Sequence, residues 1–152
     1  TSNGANSDKA FTTGTHDLSG ADWYLRCDVK CTNYSGTTRN SATMIYCYDG
    51  EREVRMHLID AASSGKAVLI GGASGDTEKG CRYADITLSD FKTLEVVVLD
   101  NTCHFFFDGV LTHTAPHDTF RASSANYCYI ADSSANASAI TTVKNYTLWK
   151  LT

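Results

Sequence analysis

An all-β fold, a two-sheet antiparallel β-sandwich, is predicted for this chain by three observations. The first is the stretch Leu94 to His113, LEVVVLDNTCHFFFDGVLTH. Two runs of β-branched and aromatic residues flank Asp100-Asn101-Thr102, and Asp108-Gly109 precedes a third run, Val110-Leu111-Thr112. Asn and Asp side chains bond nearby backbone amides and Gly supplies positive φ, so the stretch reads as strand, turn, strand, tight turn, strand. The second observation is bulk on both sides of the middle strand. Side chains alternate along a strand, so Phe105 and Phe107 point one way and His104, Phe106 and Asp108 the other. A sheet open to water on one face would not ask for that, and a second layer is expected over this hairpin. The third is the rest of the chain: no stretch sustains a helical period, and about ten short strand-like runs alternate with turn signals.

The elements follow in order. Residues 1–10 begin with the polar run TSNGANSDK and read as a linker or the start of an expressed piece; residues 11–152 read as one sandwich domain. Phe11 to Gly14 is a short edge-like segment and Asp17 to Gly20 a turn. Trp23, Leu25, Cys27, Val29 and Cys31 then alternate with Tyr24, Arg26, Asp28 and Lys30, which makes a long half-buried strand. Residues 32–41 read as a polar loop. Ala42 to Tyr48 is a strand closed by Asp49-Gly50. Glu53 to Ile59 alternates again, with Val54, Met56 and Leu58 inward and Glu53, Arg55 and His57 outward. Lys66 to Ile70 is a short strand, residues 71–80 a polar loop, and Arg82 to Ile86 a further strand. Residues 115–126, with the single proline Pro116, read as a surface loop. Tyr127 to Ala131 and Ile140 to Leu151 are the last strands.

Composition narrows the function classes. A chain of 152 residues with 42% hydrophobic and 20% charged residues is an ordinary folded soluble domain with room for a core. A net charge of −4 argues against a nucleic-acid partner, which calls for a basic patch. No apolar run is long enough to span a bilayer, so no membrane partner is expected either. The six cysteines include no CxxC pair, which removes the usual zinc and redox spacings. Cys27 and Cys31 lie on one strand, about 13 Å apart at ~3.3 Å per residue, too far to bridge. Most of the cysteines are expected to be small buried hydrophobes, with a disulfide between neighbouring strands as the open alternative.

The order of these elements has a family likeness. An aromatic-led strand (DLSGADWYLRCDV), a meander, then TLEVVVLDNTCHFFFDGVL and a terminal NYTLWKL resemble the concanavalin A-like lectin/glucanase superfamily, its laminin-G-like domains in particular. There a strand ending in Phe-Tyr-x-Asp-Gly is followed by a short valine run, and Phe105-Phe106-Phe107-Asp108-Gly109-Val110 fills that place. The resemblance covers residues 11–151 and implies a jelly roll. It says little about function, because the superfamily hosts lectins, carbohydrate-binding modules, glycosidases and adhesion domains.

Laminarinase-like members carry ExDxxE or ExDxE, which sets carboxylates on one strand face to flank a glycosidic bond. That motif is absent: Glu51 and Glu53 have no third carboxylate, and Asp76 and Glu78 fall in a glycine-rich loop. The five histidines form no triad signature with Ser or Cys. Binding is better supported, since sugars are held by aromatic faces and by planar polar side chains. Glu53, Arg55 and His57 share one side of one strand, and Tyr46 and Tyr48 share one side of the strand before it, beside Arg55 and His57 if that side is the same face and in the core if it turns inward; Tyr127 and Tyr129 alternate on a late strand and extend instead a second, loop-end platform with Tyr34 and Tyr83. Tyr34 and Tyr83 contribute from or beside loops. Trp23 and Trp149 alternate with apolar residues and are expected in the core. The resemblance also admits a structural calcium, with Asp49, Glu51, Asp76, Glu78, Asp100 and Asp132 as loop acids, although no calcium-type spacing is present.

The expectation is therefore a non-catalytic, lectin-like carbohydrate-binding module of a larger secreted or cell-surface protein, not an enzyme. Its partner would be a polysaccharide or glycan, with neighbouring domains in the same chain. The expected glycan-binding residues are Arg55, His57, Glu53, Tyr46, Tyr48, Tyr34 and Tyr83, and no cofactor is required. The alternatives are a laminin-G-like protein-binding adhesion domain and a glycoside hydrolase or lyase with an atypical site.

Overall fold

The computed structural model describes residues 9–35, 40–61, 65–71, 90–132 and 138–151, with side chains at 13–30, 45–56, 90–130 and 141–151. The chain runs β1 (Lys9–Thr12), β2 (Trp23–Ser35), β3 (Asn40–Tyr48), β4 (Arg52–Ala61), β5 (Gly65–Gly71), β6 (Lys92–Leu99), β7 (Thr102–Phe107), β8 (Val110–Pro116), a 3-10 turn (His117–Thr119), β9 (Arg121–Ala122), β10 (Cys128–Asp132) and β11 (Ser138–Lys150). These form two antiparallel sheets. One has the order β1-β10-β3-β4-β5, with β9 also paired to β4; the other has the order β11-β2-β6-β7-β8.

In β2, β4 and β7 one of the two alternating sides forms the core, and β3, β6 and β10 complete it. Trp23, Leu25, Cys27 and Val29 of β2, Leu94, Val96 and Val98 of β6, and Cys103, Phe105 and Phe107 of β7 are buried from one sheet. Ile45 and Cys47 of β3, Val54 and Met56 of β4, and Cys128 and Ile130 of β10 meet them from the other. Each large apolar side chain so buried contributes about 1.5–3 kcal/mol.

The first central hairpin is tighter than expected, and the second has the tight Asp108-Gly109 turn that the sequence predicts. Asp100 (φ 48°) and Asn101 (φ 57°) alone make the β6–β7 turn, with Thr102 already opening β7 opposite Leu99. Asp108 (φ 47°) and Gly109 (φ 78°) make the β7–β8 turn. Positive φ at both turn positions matches the twist of the flanking strands, which is why these residue types occur there. The Asp108 carboxylate also accepts a hydrogen bond from Thr93 N (2.8 Å), tying the turn to β6.

Several expectations change. β2 continues to Ser35 and β3 begins at Asn40, so Tyr34 sits in a strand rather than a loop. β1 starts at Lys9, inside the stretch read as linker. Ala115 and Pro116 belong to β8, an edge strand, where proline costs no ladder hydrogen bond on the open side. Trp149 is not core: it is 61% exposed on edge strand β11, its ring 5.7 Å from that of Tyr24 on the outer face. The strand expected at Arg82 to Ile86 lies outside the described residues.

β11 is bent onto β2 by a register shift between Lys144 and Thr147, where Asn145 adopts φ 52°. Asn145 Nδ2 donates to Asp28 Oδ2 (2.6 Å) and Thr93 Oγ1 to Asp28 Oδ1 (2.7 Å). Burial pushes the Asp28 carboxyl up, but these two bonds and the charges of Arg26 and Lys144 outweigh it and hold it below the usual range.

Candidate functional site

The candidate site is the outer face of the six-stranded sheet. β10 pairs with β3 so that Tyr129 faces Tyr46 and Cys128 faces Cys47. β3 pairs with β4 so that Tyr46 faces Arg55 and Tyr48 faces Glu53. Residues directly opposite one another share a sheet face, so one face collects Tyr46, Tyr48, Tyr127, Tyr129, Glu53 and Arg55, while Cys47, Val54 and Cys128 turn into the core.

The tyrosines form a packed set of four. Tyr46 and Tyr129 stack with centroids 4.5 Å apart and an interplanar angle of 15°. Tyr48 lies 6.1 Å from Tyr46, 6.0 Å from Tyr129 and 5.1 Å from Tyr127. The Arg55 guanidinium sits 5.1 Å from the Tyr46 ring centroid and bonds Glu53 through Nε. Glu53 faces outward as expected, yet it is buried, because Arg55 and the rings cover it. Arg121 of β9 stands opposite Glu53 in register, with Nη1 3.8 Å from Glu53 Oε2 and its side chain largely in solvent.

The electrostatics follow from this packing. Burial works against the Arg55 charge, but the bond to Glu53 and the nearby Tyr46 and Tyr48 phenols outweigh it and raise its pKa, so the guanidinium stays protonated. Burial raises the Tyr46 phenol against the opposing pull of Arg55, and burial together with neighbouring phenols raises Tyr129. These phenols are proton donors throughout the neutral range.

Of the expected site residues, Arg55, Glu53, Tyr46 and Tyr48 come together. His57 occupies β4 in register with Met44 and Leu69, and its side chain lies outside the described residues. Tyr34 belongs to β2, in the opposite sheet, and so leaves the group. Tyr83 lies outside the described residues. Arg121 was missed, because residues 115–126 read as a loop and its pairing with β4 joins residues far apart in sequence.

A second polar cluster is structural. Asp49 accepts hydrogen bonds from Trp23 Nε1 (3.1 Å), His117 Nε2 (2.6 Å), Glu51 N (3.0 Å) and Arg52 N (2.7 Å). Burial alone would raise the Asp49 carboxyl, but the bonds from His117 and the two amides outweigh it and lower its pKa. With its oxygens so committed, Asp49 is not the loop calcium ligand that the resemblance admitted. The cleft beside it, about 130 Å³, is lined by Leu18, Asp22, Glu51 and Val98 among others, and lies away from the tyrosine face.

The two antiparallel sheets form a jelly-roll β-sandwich, the fold that the sequence resemblance implied. No protein-family profile and no curated protein matches the sequence. Among solved structures, the chain is similar to a functionally unknown protein from Saccharomyces cerevisiae (TM-score 0.58, 10% identity, covering 99% of this chain and 85% of that one). It is likewise similar to an alginate lyase from Corynebacterium sp. (TM-score 0.59, 13% identity, covering 87% of this chain and 60% of that one). A third is alginate lyase A1-II′, a member of polysaccharide lyase family 7 (TM-score 0.59, 14% identity, covering 90% of this chain and 65% of that one). The chain thus spans about three fifths to two thirds of the length of these lyases. At such identities the likeness establishes the fold.

These neighbours correct one expectation. The absence of the laminarinase-type carboxylates predicts no enzyme, yet solved sandwiches of this architecture include lyases. The missing carboxylates exclude one hydrolytic mechanism and leave elimination untouched.

Proposed function

We propose that the chain is a polysaccharide lyase that cleaves an acidic, uronate-containing polysaccharide on the tyrosine-bearing face of the six-stranded sheet. The observation that carries this reading is a protonated arginine, Arg55, fixed by Glu53 against a wall of protonated phenols, on a fold shared with alginate lyases. Elimination across a uronate needs three things. A cation must neutralise the carboxylate so that the adjacent C–H becomes acidic, a base must take that proton, and an acid must protonate the leaving glycosidic oxygen. Arg55, with Arg121 beside it, supplies the cation. A phenol of the Tyr46–Tyr129 pair supplies the acid and presents a flat face to the sugar ring. His57, two residues beyond Arg55 on β4, is assigned as the base. Glu53 positions Arg55.

The test is to incubate the chain with alginate, pectate and hyaluronan and follow the ultraviolet absorbance of the double bond that elimination creates. The expected result is a rise with at least one polymer, reduced about a hundredfold or more in Arg55→Ala and in His57→Ala. Absence of a new double bond with every uronate polymer, from a folded chain, overturns the reading.

A further inference from the structure

We propose that Cys47 and Cys128 form a cross-strand disulfide that fastens β3 to β10 directly beneath the four tyrosines. The two residues are exact register partners on adjacent antiparallel strands. Cys128 N bonds Thr13 Oγ1 and Cys128 O accepts from Thr13 N, so both its backbone groups turn towards the β1 side. Tyr48 N bonds Tyr127 O, the flanking bond that defines a non-hydrogen-bonded pair at Cys47 and Cys128. In such pairs the Cα atoms lie about 4.5 Å apart, within the span a disulfide bridges (roughly 4.4–6.8 Å). The Sγ atoms are 2.6 Å apart, closer than the ~3.5–4 Å of unbonded heavy atoms in contact.

The surroundings favour this pair over the other described cysteines. Cys27 faces Leu94, Cys31 faces Thr141, and Cys103 faces Val98 and Ala115, so none of these three has a cysteine across from it. Cys47 and Cys128 are buried, which hides a finished bond from reductants. His16 Nε2 lies 3.5 Å from Cys128 Sγ. Burial pushes both thiols up, but hydrogen bonds from Cys47, His16 and Tyr146 bring Cys128 down to about 6, while Cys47 is raised well above its usual value. Cys128 is therefore the nucleophile.

With hydrogen peroxide as oxidant, the Cys128 thiolate attacks one oxygen, the O–O bond breaks, and a sulfenic acid and hydroxide result; the hydroxide becomes water with the proton that Cys128 released on forming the thiolate. Cys47 Sγ then attacks the Cys128 sulfur; the S–S bond forms, the S–O bond breaks, and the departing hydroxide leaves as water with the Cys47 proton. Overall two thiols lose two protons and two electrons, and peroxide becomes two waters. The sequence places Cys47 between Tyr46 and Tyr48, and Cys128 between Tyr127 and Tyr129, so the bond holds the two halves of the tyrosine set in register from below. The link stands whatever substrate the face takes.

The test treats the reduced full chain with hydrogen peroxide, then denatures it, alkylates remaining thiols and maps peptides by mass spectrometry. The expected result is a linked pair of peptides containing Cys47 and Cys128, two hydrogens lighter than the free pair, and a melting temperature higher by about 5–15 °C. Cys47→Ala/Cys128→Ala should lose that shift; the wild-type peptide map decides the question even if this variant folds poorly. Full alkylation of both residues after peroxide, or linkage to other cysteines, overturns the proposal. So does one equivalent of zinc co-purifying with the chain and lost in Cys128→Ala. His16, Cys47 and Cys128 offer ligand atoms within 4.8 Å of one another, but Zn–S bonds of about 2.3 Å spread two sulfurs to roughly 3.7 Å.

Discussion

Asp49 is the residue on which one end of the sandwich depends. It receives the indole of Trp23, itself fully buried, the imidazole of His117 from after β8, and two amides that open β4. Asp49→Ala would strand these donors in a buried site, and a loss of about 3–5 kcal/mol is expected from urea denaturation. That is a large share of the ~5–15 kcal/mol that holds a domain together. The acid behaviour follows from sign. The Asp49 and Asp28 carboxyls are depressed in the folded state, so their contribution is complete above the unfolded-state value. It is lost as pH falls below about 4 towards the folded-state values. Denaturation midpoints measured between pH 7 and pH 3 should stay level and then fall, and Asp49→Ala should fall less steeply than the parent.

At the scale of elements, the turns fix the register, and their glycines are not equivalent. Gly109 has φ 78° with open space where a Cβ would stand, so Gly109→Ala meets only the backbone penalty, about 1 kcal/mol. Gly50 has φ 96° and a Cβ there would come 3.1 Å from Ser19 Cβ, so Gly50→Ala should cost about 2–3 kcal/mol. Thermal melts of the two variants side by side check the order. These turns were legible in the sequence, as was the alternation of β2, β4 and β7, because both signals are local. Phe105 and Phe107 read as one side of their strand, and that side is the core. Trp149 read as core by the same alternation and is exposed, because it stands opposite the outward-facing Tyr24 of β2, and only the strand register reveals that. Residues 115–126 read as loop because β9 is two residues long and exists only through its pairing with β4.

For the whole molecule, the candidate face combines local and distant information. Glu53, Arg55, Tyr46 and Tyr48 could be proposed from strand parity, and the hairpin between β3 and β4 makes them neighbours. Tyr127 and Tyr129 complete the face from β10, across a separation of 81 positions at Cys47 and Cys128, which no periodicity conveys. The same separation has a temporal consequence. β6, β7 and β8 adjoin in sequence and are joined by two-residue turns, whereas β10 must find β3, and β11 must find β2 across 117 positions at Asp28 and Asn145. Long loops close slowly, so the hairpins precede the sheet edges. Pulsed hydrogen exchange during refolding should protect the amides of Val97 and His104, hydrogen-bonded partners within the β6–β7 hairpin, before those of Tyr46 and Ile130. A chain halted before β10 docks would already carry Arg55 and half of the tyrosines and still present no assembled face, so any activity it has is born only in the closing moments of folding.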